Sequence, residues 1–224
     1  MERNHGTGCP QHGSVRRFQP RLMRLSDSNV RDTSLMTAHA GRSVAVIGAG
    51  PAGLMAAEAL AGSGLRVDVY DAMPSPGRKF LMAGKGGLNL SHSEAQDAFL
   101  GRYGSRRVHI APLLQAFDVT ALRQWVHGLG IDTFIGSSGR VFPKEMKAAP
   151  LLRAWLHRLR ACGVTFHMRH RWLGWNTAGA LHFSTPKGTA AVDADAAVLA
   201  IGGGSWARLG SDAAWVPVLQ GRGV

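Results

Sequence analysis

The stretch Val44-Ala45-Val46-Ile47-Gly48-Ala49-Gly50-Pro51-Ala52-Gly53 decides how the chain is read. Its first four residues are apolar and mostly β-branched, the signature of a short strand buried on both faces. Gly48, Gly50 and Gly53 then fall in a G-x-G-x-x-G. From Pro51 to Ser63 the small and apolar residues predict a helix, closed by Gly62 and Gly64. Arg66 to Tyr70, with Val67 and Val69 in alternation, predicts a second strand, so the three segments form a βαβ unit. In such a unit each glycine has its own task. Gly48 allows the tight turn, Gly50 lets a pyrophosphate approach the backbone, and Gly53 lets helix and strand pack closely. The helix N-terminus offers unpaired N–H groups and a positive dipole end to the phosphates. Asp71 ends the second strand, about 20 residues beyond Gly48, where a carboxylate can accept hydrogen bonds from ribose hydroxyls. An acid there disfavours a 2′-phosphate, and hence NADP. Ala49, Pro51, Ala52 and Ala72 complete the candidate binding set. The competing reading is a glycine-rich turn kept for packing alone.

Outward from this unit the pattern stays mixed. Met73 to about His92 reads as a glycine-rich loop. A helix is expected from about Asp118 to Leu129, with Leu122, Trp125, Val126 and Leu129 on one face. A second runs from about Ala149 to Ala161, with Leu151, Leu152, Trp155, Leu156 and Leu159 inward. Its Arg153, Arg158 and Arg160 face solvent. Val164 to Met168 reads as a strand. Arg171–Trp175, Ala180–Ser184 and Thr189–Val192 follow as short antiparallel strands between Asn176/Gly179 and Pro186/Gly188. Ala196 to Ile201 reads as another buried parallel strand running into Gly202-Gly203-Gly204. The expected fold class is therefore α/β, Rossmann-like, with a parallel sheet and a small antiparallel β-meander.

Composition narrows the function. The 224 residues carry 45% hydrophobic and 18% charged side chains, which suits a globular chain. Two cysteines, Cys9 and Cys162, cannot build a secreted disulfide framework, so a reducing cytoplasm is the default expectation. The uncharged run from Val44 to Ala57 is shorter than the roughly 20 residues of a membrane span, contains Pro51 and ends at Glu58. The net charge is +12. Part of that surplus lies in residues 1–42, and no basic stretch is interleaved with aromatics, so nucleic-acid binding is not favoured. Residues 1–42 are polar and without an apolar period, which reads as a disordered leader or an early start codon, with Met36 a natural beginning. Arg16-Arg17 resembles a twin-arginine signal but no apolar region follows it, and an Arg-rich transit peptide is the remaining alternative.

Several longer motifs then converge. Gly77-Arg78-Lys79-Phe80-Leu81-Met82-Ala83-Gly84-Lys85-Gly86-Gly87-Leu88-Asn89-Leu90-Ser91-His92 resembles the loop after the second strand in BaiN/RdsA-like flavoproteins, also called YhiN-like or aminoacetone oxidase family proteins. Gly139-Arg140-Val141-Phe142-Pro143 with Lys147, Cys162-Gly163-Val164, and Leu199-Ala200-Ile201-Gly202-Gly203 with Gly210-Ser211-Asp212 match in the same order. The resemblance covers about Ser43 to Asp212. It implies an FAD-binding domain with Arg78, Lys79, Gly86, Gly87 and Asn89 near the pyrophosphate and flavin. Gly202 and Gly203 would bring a second strand end to the cofactor, and NAD(P)H is a possible electron donor. Gly84, Gly86 and Gly87 permit positive φ, so their N–H groups are candidates to converge on an anion. Members of that family continue past the second glycine turn, and Trp215-Val216-Pro217 is expected to break a helix. The organisation expected is thus a leader (1–42), an incomplete nucleotide-binding domain (43–212) and a divergent tail (213–224).

Other chemistries find less support. Gly84-Lys85-Gly86 fails as a P-loop, because Lys79 stands where the first glycine belongs and no Ser or Thr follows Lys85. Cys162 reads as a small buried hydrophobe. His167 and His170, three apart on a strand, would face opposite sides and make a poor metal pair, so no metal is expected. No G-x-S-x-G is present and no catalytic side chain can be named. The flavin itself carries the hydride in such enzymes. The leading expectation is an FAD-dependent oxidoreductase acting on a small molecule. Alternatives are an NAD-dependent reductase, an FAD-dependent RNA-modifying protein and a non-catalytic remnant. Substrate and oligomeric state are not legible. Because residues 1–35 carry no apolar period, a chain beginning at Met36 should melt within a few degrees of the full chain in a thermal scan. A large loss of stability would show that the leader packs on the core.

Overall fold

Val46 has no exposed surface and the other residues of Ser43–Ile47 are at most 7% exposed, because this strand lies between two parallel neighbours. The computed structural model describes residues 41–210 and 212–224. Cys9, Arg16-Arg17 and Met36 lie outside the described residues, as does Ser211. Among the described residues the elements run β1 (Ser43–Ile47), α1 (Pro51–Leu60), β2 (Arg66–Asp71), α2 (Arg78–Ala83), β3 (Ser91–His92), α3 (Gln96–Gly101), α4 (Arg107–Ala116), α5 (Val119–His127), β4 (Thr133–Ile135), β5 (Arg140–Pro143), α6 (Ala148–Ala161), β6 (Thr165–Met168), β7 (Arg171–Trp175), β8 (Leu181–Thr185), β9 (Gly188–Val192), β10 (Ala196–Leu199) and α7 (Val216–Gln220). No helix among them is long and apolar enough to cross a membrane. They fall into two units, one of residues 41–79 and 159–224 and one of residues 80–158.

The first unit is built on a parallel sheet of order β10-β1-β2-β6. α1 packs along it through Gly53, Leu54 and Ala57. On β1 and β2, Ala45, Ile47 and Tyr70 pack against Leu181 and Phe183 of the antiparallel meander β7-β8-β9, with Trp172 and Trp175 alongside. Tyr70 stacks on Phe183 at 4.6 Å and on His167 at 4.5 Å between ring centroids. A polar staple closes the far end: Asp195 Oδ2 accepts from the Ser43 N–H at 2.7 Å and from its hydroxyl at 3.0 Å.

Three expectations for this unit need correction. β10 is parallel to β1, but it forms the sheet edge, and Ala196 and Ala197 are exposed rather than buried. His167 and His170 do not diverge; their rings meet edge to face at 5.6 Å. Strand alternation ends at Met168, and Arg169 turns the chain with φ 60°. Pro217 does not break a helix but occupies the first turn of α7, where its missing N–H costs nothing.

The second unit has a small antiparallel sheet, β3-β5-β4, and a core of Leu88, Val126, Ala148 and Leu151. Leu122, Trp125 and Leu129 pack on that core, so the apolar face of α5 lies inward. Asp118 caps α5, its carboxylate accepting from the Ala121 N–H at 2.7 Å. On α6 the inward leucines and Trp155 are buried. Arg153 and Arg160 are exposed as expected, Arg160, in the first unit, lying over Phe166 at 5.3 Å, but Arg158 is half-buried over the Trp125 ring at 5.7 Å. The segment read as one loop from Met73 to His92 contains α2 and β3.

Burial, with the Asp68 charge adding to it, pushes the Tyr70 phenol from 10.0 up to about 12. The folded chain therefore favours the neutral phenol. That contribution to stability is whole below about pH 10 and is lost as pH rises toward 12. An ultraviolet phenolate titration should show a late step that Tyr70→Phe removes, and the variant should lose less stability over that window.

Candidate nucleotide-binding cleft

The three glycines of the first loop meet different surroundings. Gly48 has φ 108°, and a Cβ on it would strike the Ala200 carbonyl oxygen. A Cβ on Gly53 would strike the carbonyl oxygen of Gly48. A Cβ on Gly50 would meet nothing within 4 Å. Two glycines thus let backbones touch, and the middle one borders open space. Gly50 is also the N-cap of α1 and brings no side-chain acceptor to the helix's first N–H groups, with Pro51 filling the first turn. That helix start is left for an external acceptor.

Asp71 fixes the loop from the side. Its Oδ2 accepts from the Ala49 N–H and its Oδ1 from the Met73 N–H, both at 2.7 Å. Each oxygen retains a lone pair for a hydroxyl donor. Sequence reading gave this carboxylate only the ribose; its hold on Ala49 was not visible there. The Gly77 N–H donates to the Ala49 carbonyl at 2.8 Å and seats the start of α2 against the same loop. Lys79 Nζ donates to the Ser205 hydroxyl at 3.4 Å.

Gly48, Ala49, Gly50, Pro51, Ala52, Asp71, Ala72, Arg78, Lys79 and Gly202 line one open cleft of about 220 Å³. This volume falls below the usual span of ligand pockets, so the cleft can receive part of a dinucleotide. Gly53 lies buried behind it and Gly203 is exposed beyond its lining. Tyr70, Met73, His170, Arg171, Trp172, Asp212 and Trp215 also line it and were not among the site residues read from sequence, although Asp212 ends the Gly210-Ser211-Asp212 motif. The positions of His170, Arg171 and Trp172 depend on where β6 ends and how the chain turns into β7, which no motif announces. Arg78 Nε, Trp172 Nε1 and Trp215 Nε1 are buried without a partner among the described residues. Open space at Gly50 and unpaired donors on cleft residues fit a ligand rich in acceptor oxygens, such as a nucleotide diphosphate.

Gly86, Gly87 and Asn89 belong to the second unit, where the expected anion nest does not form. Of Gly84, Gly86 and Gly87, Gly87 alone takes positive φ, at 129°. The N–H groups of Lys85, Gly87 and Leu88 are spent on the carbonyls of Met82, Gly84 and Met146. The segment closes the C-terminal end of α2 and packs there, since a Cβ on Gly84 would collide with that of Ala148. Asn89 is exposed and Cys162 is half-buried. Among the described residues no group of three or more His, Cys, Asp or Glu side chains could hold a metal.

A parallel sheet, a glycine turn into a helix and an acid ending the second strand define a Rossmann-type dinucleotide-binding unit. Residues 42–224 match the HI0933-like protein Rossmann domain, and the chain belongs to that family, the flavoprotein family its motifs resemble. Among solved structures it is similar to that of Thermovibrio ammonificans THI4, at 18% identity and a TM-score of 0.51, over 84% of this chain and 66% of that one. It also resembles p-nitrophenol 4-monooxygenase PnpA from Pseudomonas putida DLL-E4, at 16% identity and a TM-score of 0.44, over 76% of this chain and 43% of that one. The chain thus spans slightly less than two thirds of the first and under half of the second. No curated protein matches it by sequence.

The surroundings of the glycines predict a split between folding and binding. Gly48→Ala and Gly53→Ala should each cost about 2 kcal/mol or more, through backbone collision and, at position 48, strain. Gly50→Ala should leave the denaturation midpoint within error. Equal losses at all three positions would contradict the distinction.

Proposed function

We propose that residues 43–212 form the nucleotide-binding domain of an FAD-dependent oxidoreductase and hold the adenosine diphosphate part of FAD. The observation that carries this reading is the open space beside Gly50, at a helix start with no side-chain cap and between Asp71 and buried, unpaired Arg78 Nε. When bound, the flavin supplies the hydride chemistry of the reaction. The chain's own residues bind and orient. First-turn N–H groups of α1 and the Arg78 guanidinium would meet the pyrophosphate, and Asp71 would accept from ribose hydroxyls while holding Ala49 in place. Ala72 and Gly202 border the same cleft. The family resemblance supports FAD over NAD, with NAD(P)H as the electron donor and a small molecule as substrate.

Titration of the wild type, Gly50→Val and Asp71→Ala with FAD and with NAD tests the reading. Gly50→Val should abolish FAD binding and keep the fold. Asp71→Ala should weaken binding by roughly 1–3 kcal/mol, the scale of a hydrogen bond to a charged group. It should also lower the melting temperature, because it frees the Ala49 and Met73 N–H groups. Unchanged FAD affinity in both variants would overturn the assignment.

A further inference from the structure

The cleft holds a second carboxylate whose partner is already chosen. The turn between β6 and β7 is stitched to the segment carrying Asp71: the His170 N–H donates to the Asp71 carbonyl at 2.8 Å, and the Arg169 N–H to the Met73 carbonyl at 3.0 Å. Arg171 follows directly, and its side chain lines the same cleft as Asp71. Arg171 Nη1 donates to Asp212 Oδ2 at 2.7 Å, and the Ala214 N–H donates to the other oxygen at 3.2 Å. The two side chains are 43% and 32% exposed, so a solute reaches the pair.

The chemistry of an arginine in this place is general. Next to the acid that ends the second strand, a free guanidinium accommodates a phosphate on the ribose, because its planar fork matches phosphate oxygens. Here Asp212 accepts from one nitrogen of that fork, Nη1, and pairs with its charge. The Arg171 hydrogen bond holds the Asp212 carboxyl below the usual carboxylate range, so the pair stays ionised at neutral pH. Asp71 and Asp212 line the cleft together with Arg171, Arg78 and Lys79. Removing the Asp212 carboxylate would leave the Arg171 guanidinium without the partner it has here.

We propose that Asp212 is a specificity-determining residue: by pairing with Arg171 it withholds that cation from the ligand and excludes nucleotides carrying a phosphate on the adenosine ribose. The proposal rests on the reading of the cleft as a nucleotide site. It adds a second device to the acid at position 71, since one carboxylate meets the ribose and the other removes the arginine that would reward a phosphate there.

The test uses AMP and adenosine 2′,5′-bisphosphate, two probes that differ in the ribose phosphate. Calorimetric titration of the full chain should show AMP preferred. Asp212→Asn and Asp212→Ser should each raise affinity for the bisphosphate by about tenfold or more, the scale of one charge-assisted phosphate contact, with AMP little changed. Adding Arg171→Gln to Asp212→Asn should erase the gain. If the Asp212 variants leave the ratio of the two affinities unchanged, or if the gain survives loss of Arg171, the proposal fails while the nucleotide site stands. If no form of the chain binds AMP, the nucleotide reading fails and takes this proposal with it.

Discussion

Backbone meets backbone where Gly48, Gly53 and Ala200 come together. A methyl group at either glycine would occupy space already filled by a carbonyl oxygen, of Ala200 in one case and of Gly48 in the other. This close approach sets where β1 ends, how tightly α1 descends along the sheet and where the chain leaves β10. The Ala200 N–H then donates to the Ile47 carbonyl at 2.8 Å, extending the β1–β10 pairing to the rim of the cleft. With those three backbones fixed, the N-terminus of α1 has little choice of position, and Gly50 is left beside open space. The open space beside Gly50 follows from a packing constraint at neighbouring residues.

Asp71 applies the same economy to charge. Its two oxygens hold Ala49 in the glycine loop and Met73 beyond β2, so the carboxylate shapes the walls of the site it is meant to serve. Hydrogen bonds to an ionised group are each worth about 1.5–3 kcal/mol, enough to order two loops that carry few buried side chains. On the proposed reading, shape and recognition would not be separable at this residue, whereas at Gly50 they would be.

How much was legible in the sequence depended on range. The βαβ unit was readable because each part is local: an apolar run, a glycine spacing, an alternating strand, an acid. The face of α5 was readable for the same reason, as was the meander, whose turns are marked by Asn176/Gly179 and Pro186/Gly188. What failed involved partners distant in sequence or a change of regime. The apolar run 196–201 reads as buried because its residues are apolar, but burial depends on what surrounds the strand, and among the described residues β10 is paired on one side, with β1. The alternation rule carried His167 and His170 apart because it was extended past the strand end into a turn at Arg169. In the segment 84–88 composition suggested free N–H groups, but the carbonyls that capture them, Met146 among them, come from elsewhere in the second unit. About a third of the cleft lining escaped for the same reason, since residues 170–172, 209, 210, 212, 214 and 215 reach Asp71 only through the tertiary fold.

The donors around the cleft sort into two kinds. Arg78 Nε, Trp172 Nε1 and Trp215 Nε1 are buried with no acceptor among the described residues. Each such group costs about 1–3 kcal/mol if it stays unsatisfied, so a fold selected for stability alone would supply partners. Arg171 does have a partner, although it is more exposed and would pay less to remain alone in water. The unmet donors are therefore the buried ones, which an external acceptor can satisfy at the greatest gain, and the met one is the exposed cation, whose attraction for stray phosphates would be least selective. On the nucleotide reading proposed above, leaving the first kind open and closing the second would favour a ligand with acceptor oxygens in the cleft and an unadorned ribose at its Asp71 end.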